Sequence, residues 1–356
     1  MHAERRRPDR PAKDPDRLPP FFIIGVDRSG TTLLRSMLNR HAQLAIPPES
    51  HFIPRLWRRR RRYGSKDRID RTERFLLDLG SDERYRHWDL PLDAVRGQLV
   101  ATAAQTFSEH LEAVFRAYAR HRGKTHWGDK TPEYAHFVPL LAGLFPQARF
   151  VHLIRDGRDV ALSMLDRHRT STHRTGKTPL HRHSPSPAFF WSRRIRIVRR
   201  AVADLEVDRY CSLRYEDLLD DPEEQLRRLC QFIGVEFDPA MLGHDHTGLE
   251  GVPPSQRQAH PRLALPPTKG LRDWRRQMLP REVAEFEAVA RRQLARLGYP
   301  VVSGSPTLTV RLRAWARVAS FAIRSLPNRI GWRVRHERRR RVLRRGLTES
   351  DSESNG

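Results

Sequence analysis

Phe21-Phe22-Ile23-Ile24-Gly25-Val26-Asp27-Arg28-Ser29-Gly30-Thr31-Thr32-Leu33-Leu34-Arg35-Ser36-Met37-Leu38-Asn39-Arg40 is the stretch whose reading decides the fold. A short β-branched and aromatic run, a glycine-bounded turn and then apolar residues at helical spacing predict strand, loop and helix. At the start of such a helix, Ser29, Gly30, Thr31 and Thr32 can offer backbone N–H groups and hydroxyls to an anion, along the positive end of the helix dipole. Gly30 lets the backbone approach that anion closely. The competing reading is an ordinary strand-to-helix turn.

The interval from Gly25 to Gly30 matches the phosphate-binding pattern G-x-x-x-x-G-K-[ST], except that Thr31 stands where the lysine belongs. A loop that hydrolyses a triphosphate needs that lysine and a Mg²⁺ held beside it. A loop with Arg28 and two threonines suits a single phosphate carrying one transferable group. Arg28-Ser29-Gly30-Thr31-Thr32-Leu33-Leu34 resembles the 5′-phosphosulfate loop of sulfotransferases that use 3′-phosphoadenosine 5′-phosphosulfate (PAPS), in the form seen in tyrosylprotein sulfotransferases and their bacterial relatives.

The resemblance extends along the chain, over about residues 21–300, and it assigns further residues. Ala45-Ile46-Pro47-Pro48-Glu49-Ser50-His51-Phe52-Ile53-Pro54-Arg55-Leu56 matches the family segment in which a glutamate precedes an Ile-Pro-Arg-Leu-like run. The resemblance implies that Glu49 is the catalytic base; His51 is the reserve candidate, and a carboxylate facing a helix start is the structural alternative. Trp127-Gly128-Asp129-Lys130-Thr131-Pro132 places Lys130 where related enzymes aim a lysine at the oxygen bridging sulfate and phosphate.

Arg149–Ile154 reads as a second core strand, left through Arg155-Asp156-Gly157-Arg158 into another helix. Arg155 and Ser163, two helical turns apart, fall on one side of that helix and suit a second phosphate. The family places an Arg and a Ser at this spacing on the 3′-phosphate, and Arg167 also matches a family position. Two phosphate sites on successive strand ends imply a nucleoside with phosphates at both ends. Tyr210–Leu219 reads as a third core strand running into a helix, and its Arg-Tyr-Glu-Asp-Leu phrase, with Tyr215 near the nucleotide, recurs in sulfotransferases. Plain core packing is the alternative for Tyr215. The Pro-rich stretch Gly251–Leu271 resembles a loop closing over the 3′-phosphate and base, with Arg257, Lys269 and Arg272 as candidates.

The chain has 356 residues, enough for one large domain. The expected architecture is α/β, a P-loop-like parallel sheet flanked by helices with helical insertions. Met1–Pro20 has almost nothing to bury and is expected to be disordered; residues 21–300 form the sulfotransferase domain, with 57–122 a helical insertion. Within it Leu92–Ala119 carries Val95, Leu99, Ala103, Phe107, Leu111, Val114 and Tyr118 at helical spacing. Thr170–Pro187 is expected to be a lid-like loop and Ala188–Leu205 an amphipathic helix. Cys211 and Cys230 form no C-x-x-C pair and read as small core residues. His181 and His183 lack companion ligands nearby, and no metal is expected. Met1–Pro20 has no signal-peptide core and no run of about 18 apolar residues occurs, so the expected location is cytoplasmic.

The net charge of +25 admits three partner classes, namely nucleic acid, an anionic membrane or an acidic substrate. The lysines are only Lys13, Lys66, Lys124, Lys130, Lys177 and Lys269, so the excess is an arginine bias of the whole chain and weak evidence for any polyanion. Residues 301–345 form a basic extension in which Leu308, Leu312, Trp315, Ala319 and Ala322 recur at helical spacing before the run Arg338–Arg341. Two readings stand: a last helix packed on the domain, or an amphipathic helix on an anionic membrane surface, which would place the protein at the inner face of the membrane. Residues 346–356 are expected to be disordered.

The reaction implied is sulfuryl transfer from PAPS to a hydroxyl of a glycan, a lipid or a peptide tyrosine, without a metal. A P-loop kinase or nucleotidase is opposed by the absent loop lysine and by the second phosphate motif. A nucleic-acid-binding protein would leave both phosphate cradles unexplained, so no specific nucleic acid is expected.

Overall fold

β1 (Phe21–Gly25) is buried along its whole length, as befits a strand covered on both faces in a parallel sheet. The computed structural model describes residues 18–63, 68–170, 185–243 and 272–323, side chains excepted at 68–69 and 167–170. β1 leads into α1 (Thr31–Asn39) and the short β2 (Leu44–Ala45). Four helices follow, α2 (Ile53–Arg59), α3 (Arg68–Gly80), α4 (Leu92–Ala101) and α5 (Phe107–His121). Then come β3 (His126–Lys130), α6 (Val138–Leu144), β4 (Arg149–Ile154), α7 (Gly157–Thr170) and α8 (Pro185–Ala201). β5 (Tyr210–Arg214) runs into α9 (Tyr215–Asp220) and α10 (Pro222–Ile233). The described chain ends with α11 (Trp274–Gln277), α12 (Pro280–Arg296) and α13 (308–323).

The strands form one five-stranded sheet in the order β2-β3-β1-β4-β5, with every pairing parallel. β1 is central: Phe21 is in register with Gly128 of β3 and with Arg149 of β4. The expected P-loop-like α/β sheet is therefore present, and its parallel order puts all the strands' carboxyl ends on one edge, where open α/β sheets bind ligands.

Successive side chains of a strand point to opposite faces. Phe22 and Ile24 accordingly enter one core with Phe52, Trp88, Phe115 and Trp127, whereas Phe21 and Ile23 enter another with Leu34, Leu38, Leu226 and Ile233. The helical segment between β2 and β3 is thus no appendage, because it supplies most of the first core. Phe115 stacks on Trp127 with ring centroids 4.4 Å apart. Cys230 is buried in the second core, and Cys211 lies in β5.

The chain divides into two compact units. One comprises the sequence to Ile154 with Ile197–Lys269; the other comprises Arg155–Arg196 and the residues from Gly270 onward. Within the second unit Gly157 lies under aromatic rings, so that a Cβ there would stand 2.6 Å from Trp191 and 2.8 Å from Phe286.

Several sequence expectations are corrected. The continuous helical spacing over Leu92–Ala119 is broken: Ala103 has φ 50°, and Thr106 caps α5 in a capping box with Glu109. Two orphan N–H groups satisfied reciprocally make a strong helix start. Leu18–Pro20 is described structure, with the Pro20 carbonyl accepting from Arg149 N at 2.9 Å as the chain runs into β1. Residues 1–17 lie outside the described residues. Pro185–Pro187 opens α8 instead of closing a loop, since proline is tolerated in a helix's first turn; 171–184, with the candidate lid and His181 and His183, lie outside the described residues. So do 244–271, with Arg257 and Lys269, and 324–356. No described helix is long and apolar enough to cross a membrane.

Candidate active site

The turn after β1 is built for close approach. Arg28 has φ 74° and Gly30 φ 94°, so the loop holds two left-handed residues before α1 begins at Thr31. Arg28 accepts this conformation at a steric cost that glycine avoids. Gly30 is also needed for space, because a Cβ built there would stand 2.3 Å from the Tyr215 ring. Tyr215, the first residue after β5, therefore packs on the loop itself. Ser29 is fully buried and its Oγ has no hydrogen-bond partner among the described residues. An unsatisfied buried hydroxyl at the start of a helix is the chemistry an anion would complete.

Glu49 and Lys130 reach the same place from distant parts of the chain. Lys130 is the last residue of β3 and is in register with Ile23 of β1. Its Nζ donates to Glu49 Oε1 at 2.5 Å and lies 3.4 Å from Thr32 Oγ1. The phosphate loop, the candidate base and the candidate electrophile thus converge on one ammonium group. Glu49 Oε2 accepts from His51 Nε2 at 3.0 Å, and His51 Nδ1 faces Glu133 Oε2 at 3.2 Å.

Charge states follow from these contacts. Burial raises the Glu49 carboxyl, but Lys130 and the His51 hydrogen bond outweigh it and hold the group well below the usual carboxylate range. Burial lowers His51, but Glu133 and Glu49 outweigh that and push it up to about 9. Lys130 is pulled below its ordinary value by burial, with Arg35 adding to the effect and Glu49 opposing it.

The segment carrying Glu49 is fixed by a buried polar net that sequence reading had not assigned. Ser50 Oγ donates to Asp129 Oδ2 and contacts Tyr134 Oη at 2.6 Å, while Ser50 N donates to Thr131 Oγ1 at 3.1 Å. Thr131 Oγ1 donates to Asp129 Oδ1 at 2.6 Å, and Tyr134 Oη accepts from Ile53 N. Burial pushes the Asp129 carboxyl up to about 6 against these hydrogen bonds. Arg35 Nε, from the buried face of α1, donates to the Ile46 carbonyl at 2.9 Å. The signal that could have found this net is the pair of small hydroxyl residues, Ser50 and Thr131, each adjoining a candidate catalytic residue.

In the second unit, Arg155 directly follows β4 and its carbonyl accepts from Trp191 Nε1 at 3.1 Å. Arg155 lies 3.9 Å from Asp159, and Ser163 is buried two turns along α7. The side chain of Arg167 lies outside the described residues. Arg272, a candidate for the nucleotide, pairs with Asp166 at 2.5 Å. Arg158 is fully buried and is held by Asp156 through Nε and Nη2, by Glu287 through Nη1 and by the Trp274 ring at 3.6 Å. Asp159 Oδ1 accepts from Trp274 N at 2.9 Å. The Gly-Arg-Asp triplet after β4 thus organises the second unit, a role its sequence had not suggested.

A family model described as the sulfotransferase family matches residues 19–239. The chain belongs to the sulfotransferase family. Among curated relatives it is similar to protein-tyrosine sulfotransferase 1 of Danio rerio, 27% identical over 81% of this chain and 74% of that one. It is also similar to a protein-tyrosine sulfotransferase of Drosophila melanogaster, 25% identical over 81% of this chain, of which it spans about half, 53%. Among solved structures, a sulfotransferase domain from the curacin biosynthetic pathway superimposes with a TM-score of 0.52 at 22% identity, covering 81% of this chain and all of that domain. That similarity speaks for a sulfotransferase fold. The chain is accordingly a sulfotransferase, an enzyme of sulfuryl transfer.

Proposed function

We propose that this sulfotransferase moves the sulfuryl group of PAPS to a hydroxyl acceptor, with Glu49 as the base and Lys130 as the electrophile at the leaving oxygen. The observation that carries the reading is the placement of Lys130 Nζ against both Glu49 and Thr32.

Glu49 takes the proton of the acceptor hydroxyl as that oxygen forms its bond to sulfur. The bond between sulfur and the bridging oxygen breaks, and the electron pair stays on the 5′-phosphate of the bisphosphate product. Lys130, Arg28, the N–H groups of Gly30, Thr31 and Thr32 and the hydroxyls of Ser29, Thr31 and Thr32 stabilise the charge gathering there. Lys130 also switches the base: once its charge is shared with the phosphosulfate, the cation that depresses Glu49 is weakened and the carboxylate gains basicity. Arg155 and Ser163 hold the 3′-phosphate, with Arg167 and Lys269 as further candidates, and Tyr215 sets the face of the loop. The acceptor is a hydroxyl of a peptide tyrosine, a glycan or a lipid; the tyrosine sulfotransferase relatives make a tyrosine peptide the first to try.

The test is binding of 3′,5′-adenosine bisphosphate, followed by transfer from labelled PAPS to a panel of peptide, glycan and lipid acceptors. Bisphosphate at 100 times its dissociation constant should stabilise the chain by about 2.7 kcal/mol without Mg²⁺. Equal stabilisation by ATP with Mg²⁺ would instead favour a kinase or nucleotidase.

A further inference from the structure

α13 has two apolar sides, and the fold uses one. Ala314 and Val318 are buried, and Arg317 pairs with the buried Glu285 of α12. The other side faces out: Leu308, Leu312, Trp315 and Ile323 are 71%, 62%, 48% and 65% exposed, and Ala319 and Ala322 are exposed with them. Positions 308, 312, 315, 319 and 322 form one continuous stripe along a helix. Single exposed leucines are ordinary, but a stripe of this length marks a surface that something covers.

Within the same unit a cavity of about 440 Å³ opens beside the stripe. Arg196, Arg291, Arg292 and Arg311 line it, and so does Trp315, which meets Phe189 edge-on with ring centroids 6.2 Å apart. Trp315 therefore belongs to both the stripe and the cavity wall. One carboxylate, Glu287, is among the described lining residues, and it is already engaged by Arg158 and by the backbone N–H groups of Val302 and Ser303. Ser192 also lines the cavity; it is 4% exposed, and its Oγ has no hydrogen-bond partner among the described residues. Clustered guanidinium groups with a spare buried hydroxyl suit the oxygens of a phosphate.

We infer that α13 and this cavity form a docking surface for a bilayer containing anionic phospholipid. The Leu308–Ala322 stripe enters the boundary between headgroups and acyl chains, Trp315 lies at headgroup level, and the four arginines with Ser192 receive a lipid phosphate. A nucleic acid would match the arginines and leave the apolar stripe in water. An apolar protein surface would match the stripe and strand the arginines. A layer of negative charge directly above hydrocarbon matches both at once. The inference does not depend on the assignment of Glu49 or Lys130.

Flotation of the full chain with vesicles of phosphatidylcholine alone, and of phosphatidylcholine with phosphatidylglycerol, tests it. Two double variants, Leu308→Ser with Leu312→Ser and Arg292→Gln with Arg311→Gln, change exposed side chains, and their thermal unfolding serves as a control. The full chain should float only with the anionic vesicles, and each double variant should lower that partitioning by about tenfold or more, given the apolar area and the charges removed. If the leucine variant floats like the unaltered chain, the attraction is general adsorption of a basic protein. Flotation of the arginine variant unchanged, or of the full chain with neutral vesicles equally well, would remove the phosphate site.

Discussion

Lys130 and Glu49 form a largely buried ion pair, Nζ to Oε1 at 2.5 Å, between residues 81 positions apart in the chain. Each holds the other in its charged form against the cost of burial, so breaking the pair from one side leaves an uncompensated charge. In the proposed mechanism, the resting Glu49 carboxylate is a weak base until its cation is drawn away.

Glu49→Gln preserves shape and removes the proposed base. Turnover with labelled PAPS should fall by about 10²–10⁴ while affinity for 3′,5′-adenosine bisphosphate changes little. Full activity in this variant, with loss in His51→Ala, would move the base to His51.

His51 lies between two carboxylates, and the sign of its effect follows from its pKa, raised from 6.5 to about 9. A raised imidazole contributes stability that is fully present below pH 6.5 and is lost as pH rises through about 9. Thermal unfolding of the unaltered chain should therefore weaken over that window more than that of His51→Gln. Identical pH slopes in the two proteins would show that the Glu133–His51–Glu49 chain carries no linked proton.

Gly30→Ala meets two obstacles, the left-handed φ of 94° and the Tyr215 ring. Backbone strain alone costs about 1–2 kcal/mol, and the loop must shift further to clear the ring. Bisphosphate affinity should fall at least tenfold, and adding Tyr215→Ala should restore part of the lost stability. A fully stable, fully binding Gly30→Ala would mean that the loop does not approach its ligand as proposed.

Arg155→Ala removes the candidate 3′-phosphate cation. Bisphosphate binding measured by calorimetry should weaken by roughly 2–5 kcal/mol, whereas binding of adenosine 5′-phosphate, which lacks the 3′ group, should change far less. Equal losses for both ligands would place Arg155 elsewhere.

Arg158→Met leaves Asp156 and Glu287 without the buried cation that both engage. Denaturant unfolding should show a loss of about 3–5 kcal/mol. Arg158→Lys should recover little of it, because the two-nitrogen grip on Asp156 needs the guanidinium fork. A loss below about 1 kcal/mol would contradict the organising role given to this residue.

What the sequence determined by itself is local. Strand, glycine turn and helix from Phe21 to Asn39 are written in consecutive residues, because periodicity, φ demands and the missing loop lysine are all properties of neighbours. Tyr215 and Lys130 could be singled out by their flanking motifs for the same reason. That both reach the start of α1 could not be read, since it depends on β3 pairing with β1, with Lys130 opposite Ile23, and on β5 pairing with β4 on the other side of β1. The contact of Glu49 with Lys130, the carboxylates around His51 and the Ser50–Asp129–Tyr134 net all join segments about 80 residues apart. Periodicity over Leu92–Ala119 suggested one helix because apolar spacing continued across the break; Ala103 and the cap at Thr106 decided otherwise. On α13 the sequence revealed an apolar stripe, but only packing decided that Ala314 and Val318 turn inward while Leu308, Leu312 and Trp315 face out. Hydrophobic spacing fixes which residues share a face, whereas the surface that a face meets is set by the rest of the fold.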